Sequence, residues 1–197
     1  MIDKVLKNII DLFYPKNICA FIEKDKYIVS EEYMRLSKLI GDFESEKGQI
    51  LRESIMKKFE KRQGFKDFQD FSRLDWQDRC FTFTLLLFKE GETYSITLYM
   101  SVLLPYYVIR SRKHKGQMLF SESRIKELEE ENPEPRNIED LILDIKIIAE
   151  EEFIYKEFPK KMLNTIIDDV SFQDSSLGYF TMFNAFFNNE SMNENNN

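Results

Sequence analysis

Histidine, cysteine and glycine are all scarce in this chain, and each scarcity removes a class of chemistry. The single histidine, His114, follows a basic run. No Ser/His/Asp or Cys/His unit and no HExxH metal pair can be identified around it, so it reads as structural or solvated. Two cysteines, Cys19 and Cys80, are too few for a disulfide framework or an unaided zinc site and read as buried thiols. Six glycines spread over 197 residues form neither GxGxxG nor a P-loop, which excludes the nucleotide enzymes built on those turns. No cofactor is implied. No apolar run reaches the roughly 20 residues that a bilayer requires. The nearest candidate, residues 94–109, is shorter, alternates, and is interrupted by Ser, Thr and Pro105, so no membrane span is expected. The opening MIDKVLKNIIDLFYP carries acids within its apolar stretch and lacks a small-residue cleavage site, and the expectation is a cytoplasmic protein. No Gly/Ser/Pro-rich linker divides the chain, so residues 1–188 are read as one domain. Residues 189–197 are read as a disordered polar tail.

What the chain does have is apolar and aromatic: 43% hydrophobic residues, including 18 Phe, enough for a Phe-rich interior in a folded domain. The centre is the stretch from Cys80 to Lys115. Phe81, Phe83, Leu85 and Leu87 alternate with Thr82, Thr84, Leu86 and Phe88, a period-two pattern that predicts a strand over about 79–89. Lys89, Glu90, Gly91 and Glu92 supply a hairpin break. A second strand over 93–103 sets Tyr94, Ile96, Leu98, Met100 and Val102 against Ser95, Thr97, Tyr99 and Ser101. Pro105 marks a bend or edge, and a third strand over 105–112 becomes basic at its far end. With helices on either side in sequence, the prediction is an α+β domain: a small, mostly antiparallel sheet flanked by several helices.

Around that centre, Val5, Ile9, Leu12 and Phe13 predict an amphipathic helix halted before Pro15. Residues 17–29 stay ambiguous, with a short strand or hairpin around Glu23–Lys26 as one reading. Ser30 caps a helix striped by Tyr33, Leu36, Leu39, Ile40 and Phe43. Gly48 breaks or weakens it before a second stripe of Leu51, Ile55 and Phe59. Phe65, Phe68 and Phe71, spaced by three, fit a helical turn or an aromatic loop under the sheet. Past the sheet come an acidic helix over 121–131 with Ile125 and Leu128 inward, ended by Pro133 and Pro135, and a helix capped by Asn137 with an apolar face from Ile138 to Phe153. After Pro159, Met162, Leu163, Ile166 and Ile167 predict a further helix, and residues 177–187 bring Phe180, Phe183, Ala185, Phe186 and Phe187 to the core.

Charge is polarised along the chain. The net charge is −7, yet residues 122–157 alone carry thirteen acids and five bases. Glu127, Glu129, Glu130, Glu131 and Glu134 are therefore candidates for steering a basic protein partner, or simply a solvated face. Arg110, Arg112, Lys113 and Lys115, beside Tyr106 and Tyr107, are candidates for binding phosphate or another anion. An acidic chain lacks the wide basic surface of a nucleic-acid binder, which disfavours nucleic acid as partner; a solubilising strand end or internal pairing with the acidic helices are the other readings. Adjacent carboxylates, Asp168 with Asp169 and Glu150 to Glu152, point in different directions on a helix and read as solvated. An enzymatic alternative places Asp168 or Asp174 with Tyr106 or Arg110 in one cleft.

Three stretches, SITLYMSVLLPYYVIRSRK at 95–113, FPKKMLNTIIDDVSFQD at 158–174 and GYFTMFNAFFNNE at 178–190, resemble a group of small Bacteroidetes-type proteins similar to the immunity proteins of polymorphic toxin and type VI secretion loci. The resemblance is one of pattern over the C-terminal half, without a catalytic signature. It implies a non-enzymatic protein that neutralises a cognate toxin by binding it. No contact residues follow from it. Within these stretches Tyr106 and Tyr107 read as strand-bend residues, and Ser171, Phe172, Gln173 and Asp174 as a turn docking the final helix. Oligomeric state is not legible in the residues.

Overall fold

The computed structural model describes residues 2–89, 91–114, 120–131 and 136–190, with the side chains of Ile2, Asp3 and Glu131 outside that description. Four helices come first: α1 (Ile2–Phe13), α2 (Lys24–Ile28), α3 (Glu31–Glu44) and α4 (Glu46–Glu60). The strands β1 (Phe68–Asp70), β2 (Cys80–Lys89), β3 (Glu92–Ser101) and β4 (Tyr106–His114) follow. Then come α5 (Glu122–Glu131), α6 (Ile138–Ile147) with a π-helical turn at Ile148–Glu152, β5 (Lys156–Glu157) and α7 (Met182–Phe186). The chain is an α+β protein with a five-stranded sheet in the order β1-β2-β3-β4-β5. Pairing is antiparallel except for β5, which runs parallel to β4.

The three predicted strands lie where the alternation places them. Lys89 pairs with Glu92, and Gly91 takes φ 79°, a left-handed turn geometry that glycine enters without a Cβ clash. Register fixes two faces. Phe81, Phe83 and Leu85 lie beside Met100, Leu98 and Ile96, and all six are buried. The helices cover this side: Phe43 of α3 meets Phe81 edge-on at 5.9 Å, and Phe59 of α4 lies tilted against Phe68 with ring centres 4.1 Å apart, Phe68 itself being beside Phe83. Each fully buried Phe contributes roughly 2 kcal/mol by leaving water. The other face carries Thr82, Thr84, Thr97, Tyr99, Ser101, Arg110 and Arg112 by the same register. One end of it is covered by the aromatic C-terminal segment, where Phe183 and Phe187 pack on Tyr99 at 5.4 and 6.4 Å.

Several local expectations are corrected. Glu23–Lys26 is no hairpin: α2 forms there, with Tyr27 buried and its hydroxyl donating to the carbonyl of Ser171 at 2.8 Å. The buried stripe of α1 is Leu6 and Ile10, leading to Tyr14, while Val5 and Leu12 stand exposed. Residues 64–76 include a short edge strand, β1, and a 3-10 turn at Leu74–Trp76, and Phe71 is exposed. After Pro159 only one 3-10 turn, Lys160–Met162, forms, because the following backbone pairs elsewhere. Ile167 N–H donates to Phe180 O at 2.8 Å, Met182 N–H to Thr165 O at 2.9 Å and Phe183 N–H to Leu163 O at 3.0 Å. Asn137 stands at the N-cap of α6 but makes no capping bond, donating instead to Glu139. By contrast Ser30 caps α3 as predicted, accepting from Tyr33 N–H. Pro133, Pro135 and residues 191–197 lie outside the described residues. Asn189 and Glu190, assigned by composition to the polar tail, are both hydrogen-bonded to the body.

The break between α3 and α4 falls at Ser45, and Gly48 occupies the first turn of α4. A Cβ built on Gly48 would lie 1.6 Å from the carbonyl oxygen of Phe43, so only glycine lets the two helices turn this closely. Gly48→Ala is expected to lose about 3 kcal/mol of stability by overpacking at backbone, measured as a lowered urea midpoint; an unchanged midpoint would contradict the close approach.

Candidate functional site

The turn entering β2 and the C-terminal segment are fastened together by one buried cation. Arg79, directly before β2, has no solvent exposure. Its backbone N–H donates to Phe187 O at 2.7 Å, and its carbonyl accepts from Val102 N–H at 2.9 Å. The guanidinium donates through Nε to Asn184 O at 3.1 Å, through Nη1 to Gln77 O at 2.8 Å and through Nη2 to Asn189 Oδ1 at 2.8 Å. Nη2 also reaches Asn184 O, and the guanidinium carbon lies 4.5 Å from the centre of the Phe172 ring. Arginine cannot shed its charge in a protein, so burial is tolerated only where oxygens and a ring face replace water. Sequence reading passes over this residue, because an arginine ahead of an apolar strand looks like an ordinary solvated strand end.

Above this knot lies an open cleft of 520 Å³, whose lining includes Arg73, Trp76, Asp78, Asp174, Asn189 and Glu190. Trp76 is 62% exposed, and the Arg73 guanidinium sits over its ring at 3.7 Å from the centroid. The indole is held in place through its backbone: Gln173 Nε2 donates to Trp76 O at 2.7 Å. The chain then reverses at Gln77, φ 62°, whose amide donates to the Tyr33 hydroxyl at 2.6 Å. Gln173, φ 51°, also accepts from the Asn189 amide. Three carboxylates, Asp78, Asp174 and Glu190, line the cleft. Burial pushes the Asp78 carboxyl up to about 6, opposed by the neighbouring Arg79 charge and reinforced by Glu190, so Asp78 exchanges its proton close to neutral pH.

The predicted turn at 171–174 is part of this assembly, but it reaches further than the final helix. Ser171 Oγ accepts from Ala20 N–H at 2.6 Å and donates to Ile18 O at 3.0 Å, so the turn also docks the chain entering α2. Trp76 is the chain's lone tryptophan, which sequence reading passes over because only its exposure distinguishes it from a core residue.

The basic run at the end of β4 is not one patch. Alternation places Arg110 and Arg112 on one face, where both approach the Glu190 carboxylate, at 3.9 and 3.6 Å. Lys113 points to the other face and pairs with Glu92 at 3.3 Å. Lys115 lies outside the described residues. Pairing within the chain is thus present, with Glu92 and Glu190.

Much of the acidic region 122–157 is also engaged internally. Glu127 pairs with Arg124 at 3.0 Å, while Arg124 grips Asp67 at 3.0 and 2.8 Å. Asp144 pairs with Arg136, Glu157 with Lys146, and Glu152 with Lys58, and Glu150 accepts from the Tyr107 hydroxyl at 2.6 Å. Glu129 and Glu130 are exposed on α5. The side chain of Glu131 and the whole of Glu134 lie outside the described residues.

Of the enzymatic alternative only Asp174 is among the lining of the cleft, with Arg110 approaching Glu190 at its border. Tyr106 packs edge-on against Phe158 at 5.6 Å, and Asp168 stands exposed in the turn beside the Lys16–Asp169 pair. Among the described residues no group of three His, Cys, Asp or Glu side chains is placed to hold a metal ion. His114 Nε2 lies 2.8 Å from Ser95 Oγ. Cys19 and Cys80 are both buried free thiols, and burial raises the Cys80 thiol far above its ordinary value. No helix among the described residues is long and apolar enough to cross a membrane.

Comparison with family models, curated proteins and solved structures gave no match. The cleft must therefore be read from its own chemistry: an exposed indole stiffened by an arginine, ringed by acids, on loops held by a buried guanidinium.

A carboxyl whose folded value is raised stabilises the fold below its unfolded value and loses that contribution as pH rises through the folded one. For Asp78 the window runs from the ordinary aspartate range up to about 6. Asp78→Asn is accordingly expected to be more stable than the parent at pH 7.5 and to lose that advantage by about pH 3.5, read as urea midpoints at the two values. An advantage independent of pH would assign the effect to something other than the carboxyl.

Proposed function

We propose that this chain is a cytoplasmic binding protein that neutralises a cognate antibacterial toxin by direct contact, and that the Trp76 cleft is the docking point. The observation that carries the reading is the exposed Trp76 ring, stacked beneath Arg73 and set among Asp78, Asp174 and Glu190. Tryptophan and arginine are the side chains that most often dominate binding energy at protein interfaces. An exposed indole already held against a cation loses little freedom on docking. The surrounding carboxylates favour a partner presenting Lys or Arg, by steering on approach and by pairing on contact. The immunity-like pattern in the C-terminal half supplies the class of partner, and the stretches that carry it include Gln173, Asp174, Asn189 and Glu190 of the cleft lining.

The test is co-expression with the product of the adjacent upstream gene. The chain is expected to copurify with that product and protect cells from it. Trp76→Ala is expected to weaken the complex by about 2 kcal/mol, and Asp174→Lys to slow association in a salt-dependent way, with circular dichroism unchanged because both side chains are exposed. Charge reversal at Glu129 and Glu130 is expected to leave affinity unaltered. Absence of binding and protection would reject the immunity reading; a complex insensitive to the cleft variants but lost on reversing Glu129 and Glu130 would move the interface to α5.

A further inference from the structure

The Glu190 carboxylate rests on the polar face of the sheet in a setting that looks like a ligand in its site. Tyr99 of β3 donates its hydroxyl to Glu190 Oε2 at 3.0 Å. Arg110 and Arg112, two residues apart on β4 and paired across to Thr97 and Ser95, direct their guanidinium nitrogens to the same oxygen at 3.9 and 3.6 Å. Asn188 Nδ2 approaches Oε1 at 3.4 Å. The phenol and the two guanidinium groups come from the adjacent strands β3 and β4. Tyr99 is buried, and the Arg110 side chain is only 12% exposed, so these two donors are fixed by packing rather than recruited by the carboxylate. Their occupant comes from the last described residue of the chain.

The fit is loose. The phenol's hydrogen bond to Glu190 is of ordinary length, whereas both guanidinium contacts to that oxygen exceed the ~2.7–3.2 Å of a nitrogen–oxygen hydrogen bond. A carboxylate presents one oxygen to three donors here. A phosphate, with more oxygens, tetrahedral spread and higher charge, would offer these converging donors separate oxygens, and arginine forks favour that geometry. We propose that Tyr99, Arg110 and Arg112 form a binding site for a compact phosphate group, and that Glu190 occupies it as an internal stand-in that a phosphate ligand displaces.

The same geometry argues against a nucleic-acid backbone as the ligand. Binding a chain of phosphodiesters takes a string of basic residues along a surface, whereas Lys113 faces away and is paired with Glu92, and the donors here converge on one point. The proposal does not depend on the toxin reading, since it concerns the sheet face and not the Trp76 ring. The two meet only at Glu190, which lines the cleft and covers the site.

The test is isothermal titration of the full chain with inorganic phosphate, with succinate and with a single-stranded oligonucleotide as comparison probes. Glu190→Ala is expected to bind phosphate about tenfold tighter than the parent, the return expected for releasing charged donors from an internal acceptor. Adding Arg112→Ala is expected to cancel the gain. Both side chains are 44% exposed, so these variants keep the fold, checked by near-ultraviolet circular dichroism. Succinate is expected to bind more weakly than phosphate. Equal phosphate affinity in the parent and Glu190→Ala, a gain that survives Arg112→Ala, or binding of the oligonucleotide without binding of phosphate would each overturn the proposal.

Discussion

A guanidinium sealed from water must find every one of its partners inside the protein, and Arg79 finds them on segments far apart in the chain. Its acceptors are main-chain oxygens of Gln77 and Asn184 and the side chain of Asn189, and its flat face is Phe172. Removing the charge would leave those oxygens unpaired, and removing the oxygens would strand the charge; either way the cost is borne by the whole junction. The position of the C-terminal segment over the sheet, the shape of the cleft and the seat of Glu190 all follow from this one constraint. The cleft owes its electrostatic character to it as well, because Asp78 is pulled between burial and the neighbouring cation.

The molecule is built as a sheet with two unlike coverings. Helices α3 and α4 bury one face through phenylalanine contacts of the ordinary kind. The other face is covered at one end by a segment that has little regular structure, from β5 to Glu190, held by scattered backbone pairs and by rings on Tyr99. Where that covering stops, the threonines and arginines of β3 and β4 begin. The polar half-face and the acidic cleft are therefore neighbours by construction, both bordered by residues 188–190. An edge between a rigid sheet and an irregular segment is a natural place for recognition, since loops carry the contacts and the sheet supplies the fixed geometry.

The centre of the fold was legible because β2, β3 and β4 are long and alternate cleanly. What escaped did so for identifiable reasons. β1 is three residues long, and its Phe68 lies at a helical spacing from Phe65 and Phe71. β5 is two residues long and rests on a bond to Pro105 O, beyond the reach of periodicity. Met162, Leu163, Ile166 and Ile167 have the spacing of a helix, but their neighbours' backbone groups are taken by residues 180–183, a non-local competition that no local pattern reports. In the site, alternation alone separates Arg110 and Arg112 from Lys113. The pairing of Arg110 and Arg112 with Glu190, and of Arg79 with Asn184, spans about a hundred residues or less and leaves no trace in sequence. The acidic run misled in a different way: it signals charge density, while many of its acids are paired internally, with Arg124, Arg136 and Lys146 of the same run and with the distant Lys58.

The joining of residues 14–16 to residues 170–185 also constrains the order in which contacts can form. Tyr14 donates to Ala185 O at 2.6 Å, Lys16 bridges Val170, and the rings of Phe172 and Phe180 lie 5.7 and 5.3 Å from that of Tyr14. α1 packs on α3, which is near in sequence, whereas the contacts of Tyr14 with residues 172–185 form only once that distant segment is present. The β2–β3–β4 meander, whose contacts are close in sequence, is free to assemble earlier. Until residues 155–190 are in place, the Tyr14 ring and the end of the polar sheet face that Phe183 and Phe187 cover stay bare, so the slow, aggregation-exposed interval is the one before these distant segments join.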